Sequence, residues 1–322
     1  MVSKIVDLDL DLPPSEDQII GTMKNWARRE EGGAANYGYI FGPAKAESLG
    51  LTMEKVEQMS RELSPKAFED ELRKRAKPLV VSLPQFVKEM DAAGIEWGVI
   101  NSFETNDRTA EIVAKYPKRF IGQCIVNPHD GSKAVRELER SIKELGLKCF
   151  YASAFRFHIP INDKKFYPLY SKAVELGVPV YMYVTMNYRS DYPMDLGRPL
   201  LLDEVARDFP EMTIIAGRGG GGGWPWVPEM IGVARRHQNV YINTSAHRPK
   251  HLAQPGSGWE MLLQFGNTLL QDRIAFASGW GAYFSYSKGV LKQVIQEMEA
   301  LPLKDEVKEK WLYRNAFRLF PR

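Results

Sequence analysis

Cysteine is scarce in this 322-residue chain. Cys124 and Cys149 lie in apolar, strand-like runs without C-x-x-C spacing, which argues against a disulfide framework or a zinc knuckle and predicts two buried thiols. No run approaches the roughly 18 uncharged apolar residues of a membrane span. The opening Met1 to Ile5 leads into acidic residues rather than a secretory core, so a cytoplasmic protein without a membrane partner is expected. Net charge is small: 43 Lys+Arg against 40 Asp+Glu leave +3. The dense basic run Arg73, Lys74, Arg75 and Lys77 reads as a solvated helix face, and no nucleic-acid partner is expected. The five histidines, His129, His158, His237, His247 and His251, show neither H-x-H nor H-E-x-x-H spacing, which removes the usual zinc sites. G-x-S-x-G is missing and neither cysteine has a nucleophile signature, so covalent catalysis has no support.

What is present is a 44% hydrophobic chain able to bury a full core. Eight strand candidates stand out: Ile5–Leu10, Trp97–Asn101, Phe120–Val126, Leu147–Ala152, Val178–Val184, Thr213–Ala216, Val240–Thr244 and Ile274–Ser278. Helix-period stretches separate most of them. In Lys133–Gly146, Val135, Leu138, Ile142 and Leu145 recur every three or four residues and Gly146 supplies the stop. Phe166–Gly177 and Leu201–Phe209 repeat the pattern. Eight βα units predict an α/β fold, a (β/α)8 TIM-type barrel forming one domain over 1–322; an open doubly wound sheet is the competitor, because periodicity alone cannot close a sheet. Residues 13–83 interrupt the rhythm after the first strand. They carry Trp26, Tyr37, Tyr39 and Phe41 near the Gly-rich Glu31 to Gly42 and then turn helical and highly charged, and they read as an insertion forming a lid or cap, or else a partly disordered excursion.

Val6-Asp7-Leu8-Asp9-Leu10-Asp11-Leu12 alternates, which puts three carboxylates on one strand face, inward in a barrel or toward water on an edge strand. Crowded carboxylates raise at least one pKa unless cations neutralise them, which makes a general acid or base near neutral pH. The glycine run Gly217 to Gly222 matches G-x-G-x-x-G trivially, and the following Trp224-Pro225-Trp226 and the strand-end Asn243 argue against a dinucleotide site. The run either brings Arg218 into a site, where it could grip a carboxylate, or is a surface loop with a solvated arginine. His158, after Phe155-Arg156-Phe157, and His247 with Arg248 fall just past strands, where barrels place function. Tyr181, Tyr183, Tyr188, Trp280 and Tyr283 suit an aromatic pocket or plain packing.

Taken in order, Ile5–Leu12, Gly177-Val178-Pro179-Val180, Ile214–Gly220, Val240–Ser245, Ile274–Gly279 and Asn315–Phe320 resemble the amidohydrolase-2 branch of the amidohydrolase superfamily, the group of aminocarboxymuconate-semialdehyde and γ-resorcylate decarboxylases. The resemblance implies a metal site from D-x-H-x-H on strand one, a histidine after P-V-x-x, another in a-H-g-G and an aspartate in F-G-S-D. Here those positions hold Asp9, Asp11, Tyr183, Arg218 and Gly279. The expectation is that no metal or other cofactor is used and that Arg218, facing Asp9 and Asp11, supplies the positive charge. It implies a metal-independent lyase or hydrolase, by decarboxylation, hydration or ring or C–C bond hydrolysis, acting on a small cyclic or aromatic-derived carboxylate. Asp9 or Asp11 would be the acid or base, Arg218 would orient it or bind substrate, and Tyr183 would donate to an oxyanion. Arg156, His158, His247, Arg248 and Trp280 are the substrate-binding candidates, and a homodimer is the expected assembly. The alternative is an inactive barrel kept for binding or as a scaffold.

Overall fold

The computed structural model describes residues 4–28, 35–186, 189–218, 226–279 and 289–321. Its strands are β1 (Ile5–Asp7), β2 (Ile95–Ile100), β3 (Phe120–Ile125), β4 (Cys149–Ser153), β5 (Val180–Tyr183), β6 (Ile214–Ala216), β7 (Val240–Asn243) and β8 (Ile274–Ala275). They pair in parallel in chain order. The Leu8 amide donates to the Phe276 carbonyl at 3.0 Å and the Gly279 amide to the Asp9 carbonyl at 3.1 Å, so the last strand meets the first and the sheet curls into a (β/α)8 barrel. Parallel neighbours require long crossovers, here mostly helices. A typical one, Ser132–Lys143, buries Ala134, Leu138 and Ser141 on one face, and Gly146 beyond it adopts φ +71°, as its role as a stop demands. One core layer fills the barrel, including Val6, Leu8, Trp97, Val99, Tyr181 and Ile215; a larger one lies between strands and helices.

Two strands are shorter than their apolar runs. The Asp9 amide donates to the Asp7 carboxylate at 3.1 Å, which ends β1 at Asp7. Beyond β8 the Phe276 amide goes to the Trp311 carbonyl, the Ala277 amide to Thr244 Oγ1 and the Ser278 amide to Asp7 Oδ1. Side chains capture amides that a ladder would otherwise use. Both cysteines are buried and free.

Between β1 and the helix before β2 lie α1 (Glu16–Arg28), α2 (Ala35–Ser48), α3 (Met53–Glu62) and α4 (Pro65–Ala76). Thr52 and Ser64 cap α3 and α4 by accepting the Lys55 and Ala67 amides. These helices enclose a core of their own around Ile20, Met23, Val56, Phe68 and Leu72, so the described residues of the segment pack as helices. Among the described residues no helix is long and apolar enough to cross a membrane.

Candidate active site

Strand alternation carries Asp7, Asp9 and Asp11 to the carboxyl ends of the strands. Asp7 is fully buried and accepts the Asp9 and Ser278 amides at 3.1 and 3.0 Å. Burial pushes its carboxyl up to about 6 against the pull of these bonds and of the Ser278 side chain. Asp9 is 5% exposed, and its Oδ2 accepts from Tyr181 Oη at 2.7 Å and from Ser245 Oγ. Asp11 faces a cavity; burial first, then the field of Asp9, pushes its carboxyl up to about 8, with Arg218 pulling the other way.

Two glycines let distant side chains reach Asp9. A Cβ on Gly217 would overlap the Tyr181 ring and hydroxyl. Gly279 has φ +54°, and a Cβ there would lie 2.6 Å from the Ala246 amide nitrogen and against Ser245 Oγ. Asn243 holds the two loops together, its Oδ1 accepting the Arg218 and Ser245 amides, each at 3.2 Å. Arg218 takes a left-handed φ of +66°, a strain of about 1 kcal/mol for a residue with a Cβ. The residue is 7% exposed and its guanidinium carbon stands 4.7 Å from the centroid of the Tyr183 ring. Burial opposes the arginine's charge, but Tyr183, Asp9, Tyr181 and Asp11 more than compensate and hold it above the ordinary guanidinium range.

The cavity measures about 690 Å³. Of the residues singled out from sequence, Asp11, Arg156, His158, Tyr183 and Arg218 line it. Arg156 is set by the turn after β4, where its amide caps onto Ser153 Oγ at 3.1 Å. His158 stacks on Tyr192 with centroids 3.9 Å apart, and burial lowers its pKa. Asp9 lies behind the cavity wall rather than on it. Arg218 is within the field of both carboxylates but closes no direct ion pair with either, so the expected face-to-face pairing is replaced by hydroxyl donors to Asp9.

His247 and Arg248 are not brought to this cavity, which corrects their reading as substrate-binding residues. Arg248 Nε donates to Glu297 Oε2 at 2.8 Å, its Nη2 reaches Oε1, and its carbonyl accepts the Trp259 indole at 3.2 Å. His247 is buried against the Trp259 ring, centroids 4.8 Å apart. A strand-end position marks a neighbourhood, but Glu297, on a helix far along the chain, decides where Arg248 turns. Trp280, with Tyr188 and Tyr283, lies outside the described residues. Sequence reading missed Tyr181's and Ser245's parts; Gly217 and Gly279 carried the signal, as positions where a side chain has no room.

A divalent ion does not suit these residues. Where the resemblance implies ligands stand two carboxyls, a phenol, a guanidinium and a glycine whose missing side chain is filled by Ser245 and Ala246. Among the described residues no three His, Cys, Asp or Glu side chains are grouped to hold a metal. A fixed guanidinium beside the carboxyls repels a dication.

Barrel, strand-end cavity and buried acids define an enzyme-like (β/α)8 protein with the site at the usual end. The amidohydrolase family model Amidohydro_2 matches residues 57–322, and the chain belongs to that family. It is 26% identical over 248 residues to 2-keto-4-carboxy-3-hexenedioate hydratase of Sphingobium sp. (strain SYK-6), covering 67% of this chain and 70% of the hydratase. To the γ-resorcylate decarboxylase of Polaromonas sp. (strain JS666) it is 34% identical over 103 residues, 30% of this chain and 32% of that one. Its fold resembles a TIM-barrel protein from Bordetella bronchiseptica (TM-score 0.67, 24% identity, 98% of each chain). It also resembles 5-carboxyvanillate decarboxylase from Novosphingobium aromaticivorans, solved with bound manganese (TM-score 0.61, 18% identity, 98% and 97% covered).

Proposed function

We propose that this chain is a metal-independent lyase acting on a small cyclic or aromatic-derived carboxylate, with decarboxylation the best-supported reaction and hydration or ring or C–C bond hydrolysis its neighbours. The observation that carries this reading is Asp11, a carboxyl on the cavity wall kept protonated at neutral pH by burial and by Asp9. Hydratases and decarboxylases among the relatives support the general kind of chemistry.

Asp11 transfers its proton to the ring carbon that bears the carboxylate. The bond between that carbon and the carboxylate carbon breaks, its electron pair restores the ring, and CO2 leaves. Asp11, now ionised, regains a proton from solvent, so one proton is consumed per turnover. Arg218 orients the carboxylate, and Tyr183 donates to charge that develops on a ring oxygen. Asp9, gripped by Tyr181 and Ser245, is a positioning residue whose negative field keeps Asp11 protonated. Residues 13–83 cap the cavity of a single 1–322 domain.

Protein stripped with EDTA and analysed for metals, incubated with hydroxylated and carboxylated benzoates, should release CO2. One equivalent of tightly held zinc or manganese that turnover requires overturns metal independence. The replacement of the histidines that the resemblance implies favours a second reading, a binding barrel; calorimetric binding of the same benzoates without any turnover would decide for it.

A further inference from the structure

Backbone strain is gathered at one end of the barrel. Among the described residues, four other than glycine have a left-handed φ, namely Phe103 (+55°), His158 (+57°), Arg218 (+66°) and Ala246 (+59°), and each follows the carboxyl end of a strand. The first three line the cavity. A left-handed φ suits glycine or asparagine and is worst for a bulky side chain, so the phenylalanine is held against its own preference. Strain of this kind persists only where neighbours impose it, and it clusters at binding and catalytic sites. Burial does not account for the choice, because Phe103 is 39% exposed. Its ring is fixed nonetheless. It meets the Tyr151 ring at 88° with centroids 6.0 Å apart, and the Arg156 guanidinium carbon lies 6.0 Å from its centroid while Nη2 donates to the Phe103 carbonyl at 3.4 Å. The turn itself is tied down by Ser102, whose amide donates to Thr109 Oγ1 at 3.0 Å and whose hydroxyl donates to the Thr105 carbonyl at 2.9 Å. Tyr151 also lines the cavity; it is 4% exposed and stacks on Tyr181 with centroids 5.2 Å apart and planes 13° from parallel. Two perpendicular rings, one anchored in the barrel and one partly open, therefore form a corner of the cavity. A flat aromatic ring can lie against one of them and edge-on to the other, whereas a saturated ring of the same size is thicker and has no quadrupole to match.

We propose that Phe103, backed by Tyr151, is a specificity-determining residue that selects a planar aromatic ring over a saturated one, while Arg218 holds the carboxylate of that ring. This rests on the carboxylate-lyase reading and narrows its substrate from cyclic to aromatic. It also gives the strained turn after β2 a purpose that packing alone does not supply.

Titration calorimetry of the full chain with benzoate and with cyclohexanecarboxylate, which match in ring size and charge, tests the assignment. The wild type should bind benzoate more tightly by roughly 5-fold, the scale of one aromatic contact. Phe103→Leu should weaken benzoate by about that factor and leave cyclohexanecarboxylate within a factor of about 2. Phe103→Tyr should keep the preference. Phe103→Asn, whose side chain tolerates the left-handed backbone, should lose it and serves if the leucine variant does not fold. The inference falls if a folded Phe103→Leu or Phe103→Asn variant keeps the preference, whether both probes weaken equally or neither does; it falls too if Phe103→Tyr loses the preference. Equal binding of the two probes by the wild type overturns the role of Phe103 and leaves the lyase reading standing. Binding of neither probe overturns both.

Discussion

Charged groups serve opposite ends in the insertion and in the barrel. In the insertion Arg73 joins Glu16, Asp17 and Glu69 at 3.0, 3.0 and 3.2 Å, and Lys24 meets Glu69 at 2.7 Å. There the Lys24 and Arg73 side chains hold the Glu69 carboxyl below its usual range. In the barrel Asp7, Asp9 and Asp11 are surrounded by amides, hydroxyls and one another, and the carboxyls of Asp7 and Asp11 are pushed up. Paired charge at the surface links helices through contacts that solvent screens; buried carboxyls without a direct counter-ion hold their protons to higher pH.

The sharpest way to break this contrast is Asp11→Asn. It should lower the turnover rate by roughly 10²- to 10⁴-fold while calorimetry still shows ligand binding; a variant with near-normal CO2 release would move the acid elsewhere. Gly279→Ala comes next. Its φ of +54° and the 2.6 Å approach to the Ala246 amide should cost about 2–4 kcal/mol in denaturant titration, with Ser245 displaced from Asp9.

The third test is pH. Because the folded state keeps protons on Asp7 and Asp11 up to about 6 and about 8, whereas an unfolded carboxyl loses its proton near 4, these two groups make stability decline as pH rises through that window. The wild-type thermal midpoint should therefore be higher at pH 5 than at pH 8.5, with the gap narrowed in Asp11→Asn; a gap that the variant leaves intact would mean that Asp11 titrates normally. Tyr181→Phe removes one donor to Asp9 and should cost about 1–2 kcal/mol. Arg73→Ala should be the mildest, with a thermal midpoint that barely moves, since exposed ion pairs are screened and add little. An Arg73→Ala loss exceeding that of Tyr181→Phe would invert the comparison.

The barrel was legible because its signals are local. Period-two alternation located β1 and its acids, and three-to-four spacing with Gly146 located a crossover helix. The insertion was legible only in part: its charged stretch reads as helical and forms α3 and α4, but the packing of Ile19, Ile20, Met23 and Trp26 of α1 against those helices depends on contacts that spacing does not show. Within the site, the carboxyls and Arg218 could be named from spacing and resemblance. Their partners could not. Tyr181 lies 172 residues and Ser245 236 residues from Asp9, so only the closed barrel creates those contacts.

The acid, the stiff Pro13-Pro14 step and the first helix over the cavity follow one another along a single stretch from Asp11 to Arg28. The proposed acid and the helical part of the cavity lining thus lie next to each other in the sequence yet on separate side chains. A combinatorial library at Gln18, Thr22 and Asn25, all of which line the cavity, could retarget the protein to new guests within a short mutagenic cassette and never touch Asp11, the proton donor proposed above.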